Sequence, residues 1–339
     1  MKTLYKRALI AGVCLGVIGA VVVIKNDPYG KAVSQDTTIT IASGSDFSTL
    51  KDSLKSSGVI NNMATFELVA RLRSLDQSVK AGHYTLKQGE SYMSIVRKLR
   101  AGEQTPVDLT FNNIRSLEQL AGVISKSIEP DSSSLVALMK SDSVQKSYGL
   151  DQRTMMAMFI PDTYEFYWTT SAGKFMERMY KQYDNFWNEK RTAQLKALGL
   201  TRIEAITLAS IVYEESKMVK EMPTIAGVYL NRLRIKMPLQ ADPTVKFAVG
   251  DPTLKRVLFK HLEVDSPYNT YKYNGLPPGP IAMPSVAAIE SVLNPQKHNY
   301  LYFCAKADFS GEHAFARTLS EHNRNAAAYS RELNRRKIR

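Results

Sequence analysis

Apolar residues 8–24 form an unbroken run of 17 positions, and everything after them alternates apolar and polar positions. A run of that length lies near the lower limit for crossing a hydrocarbon core of about 30 Å, so it predicts one membrane-spanning helix. Lys2, Lys6 and Arg7 precede it, which places residues 1–7 in the cytoplasm and the rest of the chain outside. A cleaved signal peptide would need a small-x-small site after the run, and VVVIKNDPYG offers none. The anchor is therefore expected to stay, followed by a linker over 25–35.

Shorter periods follow. Residues 37–42 and the segment AGHYTLKQGES read as strands. Stretches 47–56, 64–73 and 92–100 read as helices, the first through Phe47, Leu50 and Leu54 at spacings of three and four. Gly102 is placed to end the third. Together they predict a small α+β module over 36–104. The intervening region, 105–195, predicts a strand at 107–111, helices at 117–124, 133–139 and 175–190, and an aromatic-dense segment around Pro161. Over 196–330, helices are expected at 201–219, 223–236 and 286–293. Between the last two lies the Pro/Gly-rich loop PYNTYKYNGLPPGPIAMPS, and an apolar strand YLYFCA and a closing helix follow, before a basic tail at 331–339. The predicted class is α+β: one N-terminal transmembrane helix, a small module and a mixed α+β catalytic domain.

Within LASIVYEES, Leu208, Ile211, Val212 and Glu215 share one stripe at helical spacings. Three are apolar, so Glu215 continues a core-facing line, where an acid is costly unless paired or protonated. A carboxyl group held protonated near neutral pH is what a general acid requires. Glu214 lies about 100° round the helix. It pairs with Lys217 at i,i+3 and reads as a solvated acid. Two bland readings stand beside this: Glu215 reaches water at the helix end, or it pairs internally with Arg232 or Arg234. Polar residues fit to surround it are Asn231, Gln240, Asp242, Tyr268, Asn269, Thr270, Tyr271, His313, His322 and Asn323, a set suited to a hydroxyl- and amide-rich ligand such as a sugar.

Composition narrows the chemistry. The 339 residues carry 45 Lys+Arg against 32 Asp+Glu, a net charge of +13, which favours an anionic neighbour. No nucleic-acid module is present, so nucleic acid is not the expected partner. Cys14 falls in the anchor and Cys304 beyond it, so the two cannot pair. The five histidines show no metal-ligand spacing, Ser210 and Ser216 lack a nucleophile-elbow context, and no phosphate-binding glycine loop occurs. No metal and no cofactor is expected.

The ordered motifs LASIVYEES, YLNRL, LQADPTV, SPYNTYKYNGLPPGPIAMPS and YLYFCAKADFSGEHAF resemble those of the endolytic murein transglycosylase, or YceG-like, family. That resemblance implies a LysM-like module at 36–104 and a catalytic glutamate at the last acid of a motif written roughly IVEKE, which falls on Glu215. Here Tyr213 replaces the first acid, and Glu214 stands where a lysine is common. The implied reaction cuts the β-1,4 bond from N-acetylmuramic acid to N-acetylglucosamine and leaves 1,6-anhydro ends. Gln240, Asn269 and Thr270 would hold substrate or orient Glu215, with Asp242 bracing the loop. The alternatives are a lysozyme-like hydrolase using Asp242 as second acid, and a non-catalytic glycan-binding scaffold. Implied partners are peptidoglycan strands, the membrane through the N-terminal helix, and wall-synthesis proteins. The implied location is the inner membrane with the domains in the periplasm.

Overall fold

The structure, a computed structural model, describes residues 27–251, 254 and 256–336. It divides into two compact units: residues 27–109 with 127–129 and 165–171, and residues 110–126, 130–164 and 172–336.

In the first unit, β1 (Thr37–Ile41) pairs antiparallel with β2 (Gly82–Leu86), in a register that sets Ile39 opposite Tyr84. Alternation decides the faces: Ile39, Ile41, Tyr84 and Leu86 are buried, while the threonines between them are less so. Between the strands run α1 (Phe47–Ser57) and α2 (Met63–Leu72), and α3 (Tyr92–Ala101) follows β2. Each helix starts where a short polar side chain accepts a hydrogen bond from a first-turn amide: Asp46, Asn62 and Ser91 respectively. Gly102, at φ 74°, ends α3 in the left-handed conformation that a side chain disfavours. Leu50, Leu54, Phe66, Val69, Ile95 and Leu99 fill one core.

β3 (Val107–Phe111) and β4 (Asp162–Phe166) form a second two-stranded sheet. The helices of the second unit are α4 (Leu117–Ile124), α5 (Ser132–Lys140), α6 (Asp142–Ser147), α7 (Ala172–Phe186), α8 (Glu189–Leu198), α9 (Arg202–Glu215), α10 (Met222–Arg234), α11 (Asp242–Val249) and α12 (Val286–Leu293). An antiparallel hairpin follows, β5 (Tyr302–Ala305) with β6 (His313–Ala316), and then α13 (Leu319–Arg335), which packs on both strands. The second unit is built round α9, which contacts α10, α11 and α12. Every residue from Ala205 to Val212 is buried. The expected stripe is thus not the reason Glu215 faces protein: between its first and last turns the helix is enclosed on all sides. Gly279, in the Pro/Gly loop, sits so close to the Arg153 carbonyl that a Cβ would lie 2.1 Å from its oxygen.

Several elements differ from expectation. α9 stops at Glu215 rather than 219, because Ser216 turns extended at φ −143° and ψ 137°. The helix expected over 175–190 is two, since Asn188 caps a new helix, α8. β4, α11 and β6 were not foreseen; four to eight residues of mixed polarity carry too short a period to read.

The transmembrane part of the predicted fold class is corrected. Among the described residues no helix is long and apolar enough to cross a membrane. The longest, α13, has 17 residues and bears arginines and glutamates throughout. The run 8–24 on which the anchor rested lies outside the described residues, as do residues 1–7. The membrane partner, the inner-membrane location and the cytoplasmic end rested on that run alone and are withdrawn with it. What stands is a mixed α+β chain.

Candidate active site

α9 begins with a reciprocal capping box, Thr201 with Glu204, which fixes its first turn. Its last residue, Glu215, lies half-buried on the floor of a cleft of about 380 Å³. The chain then turns through 216–221 and re-enters helix at α10, whose Pro223 occupies the first turn, where the missing N–H costs nothing. This return brings Tyr229 against the end of α9. Its hydroxyl donates to Glu215 Oε1 at 2.7 Å, and its ring meets Phe303 edge-on at 5.9 Å.

One turn further along α10, Arg232 is buried. Its Nε donates to the Leu301 carbonyl at 2.6 Å and its Nη1 to the carbonyls of Leu239 and Pro238 at 2.7 and 3.3 Å. The guanidinium also lies 5.3 Å from the centre of the Tyr302 ring. Its hydrogen bonds thus go to backbone carbonyls, and the hydrogen-bond partner of Glu215 is Tyr229. Arg234, the other candidate for an internal pair, donates to Asn231.

The facing wall comes from 239–242 and Tyr271. Gln240 lines the cleft from the left-handed region at φ 48°, a strained setting for a residue with a side chain. Asp242, exposed in the cleft, accepts from the Tyr271 hydroxyl at 2.7 Å. Thr270 holds this wall from behind: its Oγ1 accepts from the Ala241 amide at 3.0 Å and meets Thr244 Oγ1 at 2.8 Å, and its carbonyl accepts from the Gln240 amide. The hairpin and α13 complete the rim through Tyr302, Phe303, His313 and His322. The Glu221 carboxylate holds His313, accepting from its amide at 2.8 Å and lying 3.0 Å from Nδ1.

Burial pushes the Glu215 carboxyl up to about 7, and the negative charge of Asp242 acts in the same direction. The Tyr229 hydrogen bond, Arg232 and Lys246 pull the other way and lose. A position at a helix C-terminus also disfavours an anion. The site therefore holds an acid that exchanges its proton near neutral pH. Burial also lowers the His322 imidazole from its ordinary value, keeping it neutral there.

Of the residues expected to surround Glu215, the structure brings Gln240, Asp242, Tyr271, His313 and His322 into the cleft and Asn323 to a neighbouring hollow along α13. Thr270 is fully buried behind them. Asn269 is also buried and spends its amide on the carbonyls of Leu262 and Val264, and Tyr268 packs on Phe247 at 4.6 Å. Asn231 donates to the carbonyls of His298 and Tyr300 and lines a different, larger groove of about 1140 Å³. The carboxylate of that groove, Glu204, is spent on the α9 cap. Glu214 forms the expected pair with Lys217 but is no solvated acid: its side chain is only 12% exposed and also binds Arg115 at 2.5 Å. Tyr229 and Tyr302 were missed. The spacing of Tyr229 and Arg232 within YLNRL, one helical turn, was the available signal for the first. Among the described residues no group of three or more His, Cys, Asp or Glu could hold a metal ion.

Comparison with known proteins covers nearly the whole chain. The model of the YceG-like family matches residues 39–328. The endolytic murein transglycosylase of Bacillus subtilis is 32% identical over 319 residues, which span 89% of this chain and 87% of that protein. The endolytic murein transglycosylase of Streptococcus pneumoniae is 28% identical over 86% of this chain and 58% of its own length. A crystal structure described as a yceG-like protein of Listeria monocytogenes superposes with a TM-score of 0.58 at 31% identity, covering 86% of this chain and 98% of that one.

Proposed function

The chain belongs to the YceG-like family, and from that premise we propose that it cuts peptidoglycan glycan strands internally with Glu215 as its single acid/base. As a member of that family it is a lytic transglycosylase. The observation that carries the finer reading is the Glu215 carboxyl itself: held at about 7 on the floor of an open cleft, with Oε1 engaged by Tyr229. Oε2 is then the oxygen that carries the transferable proton.

The steps balance with one carboxyl group. Glu215 gives its proton to the glycosidic oxygen as the bond from C1 of N-acetylmuramic acid breaks and positive charge develops on that sugar. The carboxylate so formed takes the proton of the C6 hydroxyl of the same sugar, whose oxygen bonds to C1. The products are a free 4-hydroxyl on N-acetylglucosamine and a 1,6-anhydro end. The nucleophile is already tethered, so held geometry supplies much of the rate. Water activated by Asp242 would instead leave reducing ends, as in a two-carboxylate hydrolase. Mass analysis of products from uncrosslinked strands tests this: anhydro ends support the proposal and reducing ends alone would sink it. The segment 36–104, within the first unit, is proposed to serve as a LysM-like glycan-binding module.

The pH profile gives a second test. The active form of Glu215 is protonated, so kcat/KM should fall about tenfold per pH unit above pH 7. Tyr229→Phe removes a hydrogen bond that favours the carboxylate, so the alkaline fall should move to higher pH. A fall that stays in place would show that Tyr229 does not tune the acid.

A further inference from the structure

We propose that the cleft continues across Leu319 into a groove along α13 that binds carboxylates of the peptides carried by the glycan strand. This rests on the functional reading above. Leu319 lines both the cleft and a neighbouring hollow of about 690 Å³, and it is 54% exposed, so the two are continuous. The rest of that hollow is Ser320, Asn323, Arg324, Ala327 and Arg331, spaced by three and four along one face of α13.

The charges on this helix are sorted by face. Arg335 and Arg336 both bind the Glu332 carboxylate, at 2.6 and 2.7 Å, and so present little free charge. Arg331, one residue before Glu332 and turned to the groove, forms no ion pair among the described residues. Among the described residues Arg324 forms no ion pair and donates to Ser320 Oγ at 3.1 Å. It contributes to the field that lowers Glu321, but the Oε2 of that acid accepts from the amides of Arg317 and Thr318 at the helix start. Two guanidiniums seven residues apart lie about 10 Å from each other along the axis. A strand running out of the cleft past the apolar step of Leu319 meets them in turn.

Guanidinium forks match carboxylates in two-point geometry, which selects the peptide part of the polymer over its neutral sugars. A cleft that binds only sugar would leave this end of α13 with no reason to keep its cations unpaired. The phosphate of a wall polymer offers related chemistry, and the test separates the two sources by using strands that carry peptides but no phosphate polymer.

The experiment compares full-length chain and an Arg324→Gln/Arg331→Gln variant on peptide-bearing strands and on the same strands with their peptide carboxylates capped as methylamides. The expected result is a rise in KM of about tenfold on strands with free peptide carboxylates, less than twofold on capped ones, and no change in kcat on either. Arg335→Gln/Arg336→Gln, off the groove, serves as control. Equal effects on both strand kinds, or none on either, would overturn the proposal. Binding of peptide-bearing strands measured in the Glu215→Gln background reads the groove apart from turnover. Failure of the unaltered chain to make anhydro ends, with this binding difference intact, would strike the reaction and leave the groove standing.

Discussion

Glu215→Gln is expected to lower kcat on uncrosslinked glycan strands by about a thousandfold or more, with KM changed little. Glutamine keeps the size and still accepts the Tyr229 hydrogen bond at its carbonyl, so the cleft should hold its shape. It cannot release or take up a proton, and both steps of the proposed reaction need one. Stability should move the other way. A carboxyl raised from 4.5 to about 7 contributes stability that is fully present below 4.5 and lost as pH rises through 7. Glutamine carries no such loss. The melting temperature of the variant relative to the unaltered chain should therefore climb between pH 5 and pH 8. Residual anhydro products at an unchanged rate, from a variant that melts cooperatively, would remove Glu215 from the chemistry. Glu214→Gln, which loosens the clamp between Arg115 and Lys217, is not expected to reproduce the rate loss.

Arg232→Ala is expected to cost about 3 kcal/mol of stability and, at permissive temperature, most of the activity. The buried guanidinium satisfies the carbonyls of Leu239 and Pro238 on one side and Leu301 on the other. Truncation leaves these oxygens facing a void, each orphaned group costing about 1–3 kcal/mol. The same bonds hold the strained turn at Gln240 and the start of the hairpin strand bearing Tyr302 and Phe303 in one place, so the two walls of the cleft should separate. Lysine should rescue little, because one ammonium cannot reproduce a planar fork aimed at both segments. Thermal unfolding followed by circular dichroism checks the first effect. A drop of less than about 2 °C would show that the carbonyls find other partners.

Much of the scaffold was legible along the chain. The strand 107–111 and the helices 117–124 and 286–293 stand where alternation and three-four spacing place them. These signals are local, since burial of one face imposes a period that a short window can read. Glu215 was legible for a different reason. The stripe that singled it out described a helix with one buried face, whereas α9 is buried on all of them. The family motif pointed to the same acid independently, and the cleft is where that acid emerges. The remaining expectations divide by the same logic. Gln240, Asp242 and His313 line the cleft, while Asn269, Tyr268 and Asn231 close loops, because an amide or hydroxyl serves a carbonyl as readily as a ligand.

The sequence by itself determined the helix and strand periods, the caps that start them, the excess of positive charge and the acid at the end of LASIVYEES. Each of these depends on neighbours within a few residues. Only the tertiary structure decided what surrounds that acid. Tyr229 comes from 14 positions further on, Asp242 and Tyr271 from the facing wall, and Tyr302 and His322 from the hairpin and last helix. The rise of its carboxyl to about 7 follows from burial by those distant parts and from the charge of Asp242, and no local window contains them. On α13 the two causes meet: Glu332 takes Arg335 and Arg336 by local spacing of three and four, while the face that Arg324 and Arg331 present to the groove depends on how the helix lies against the hairpin.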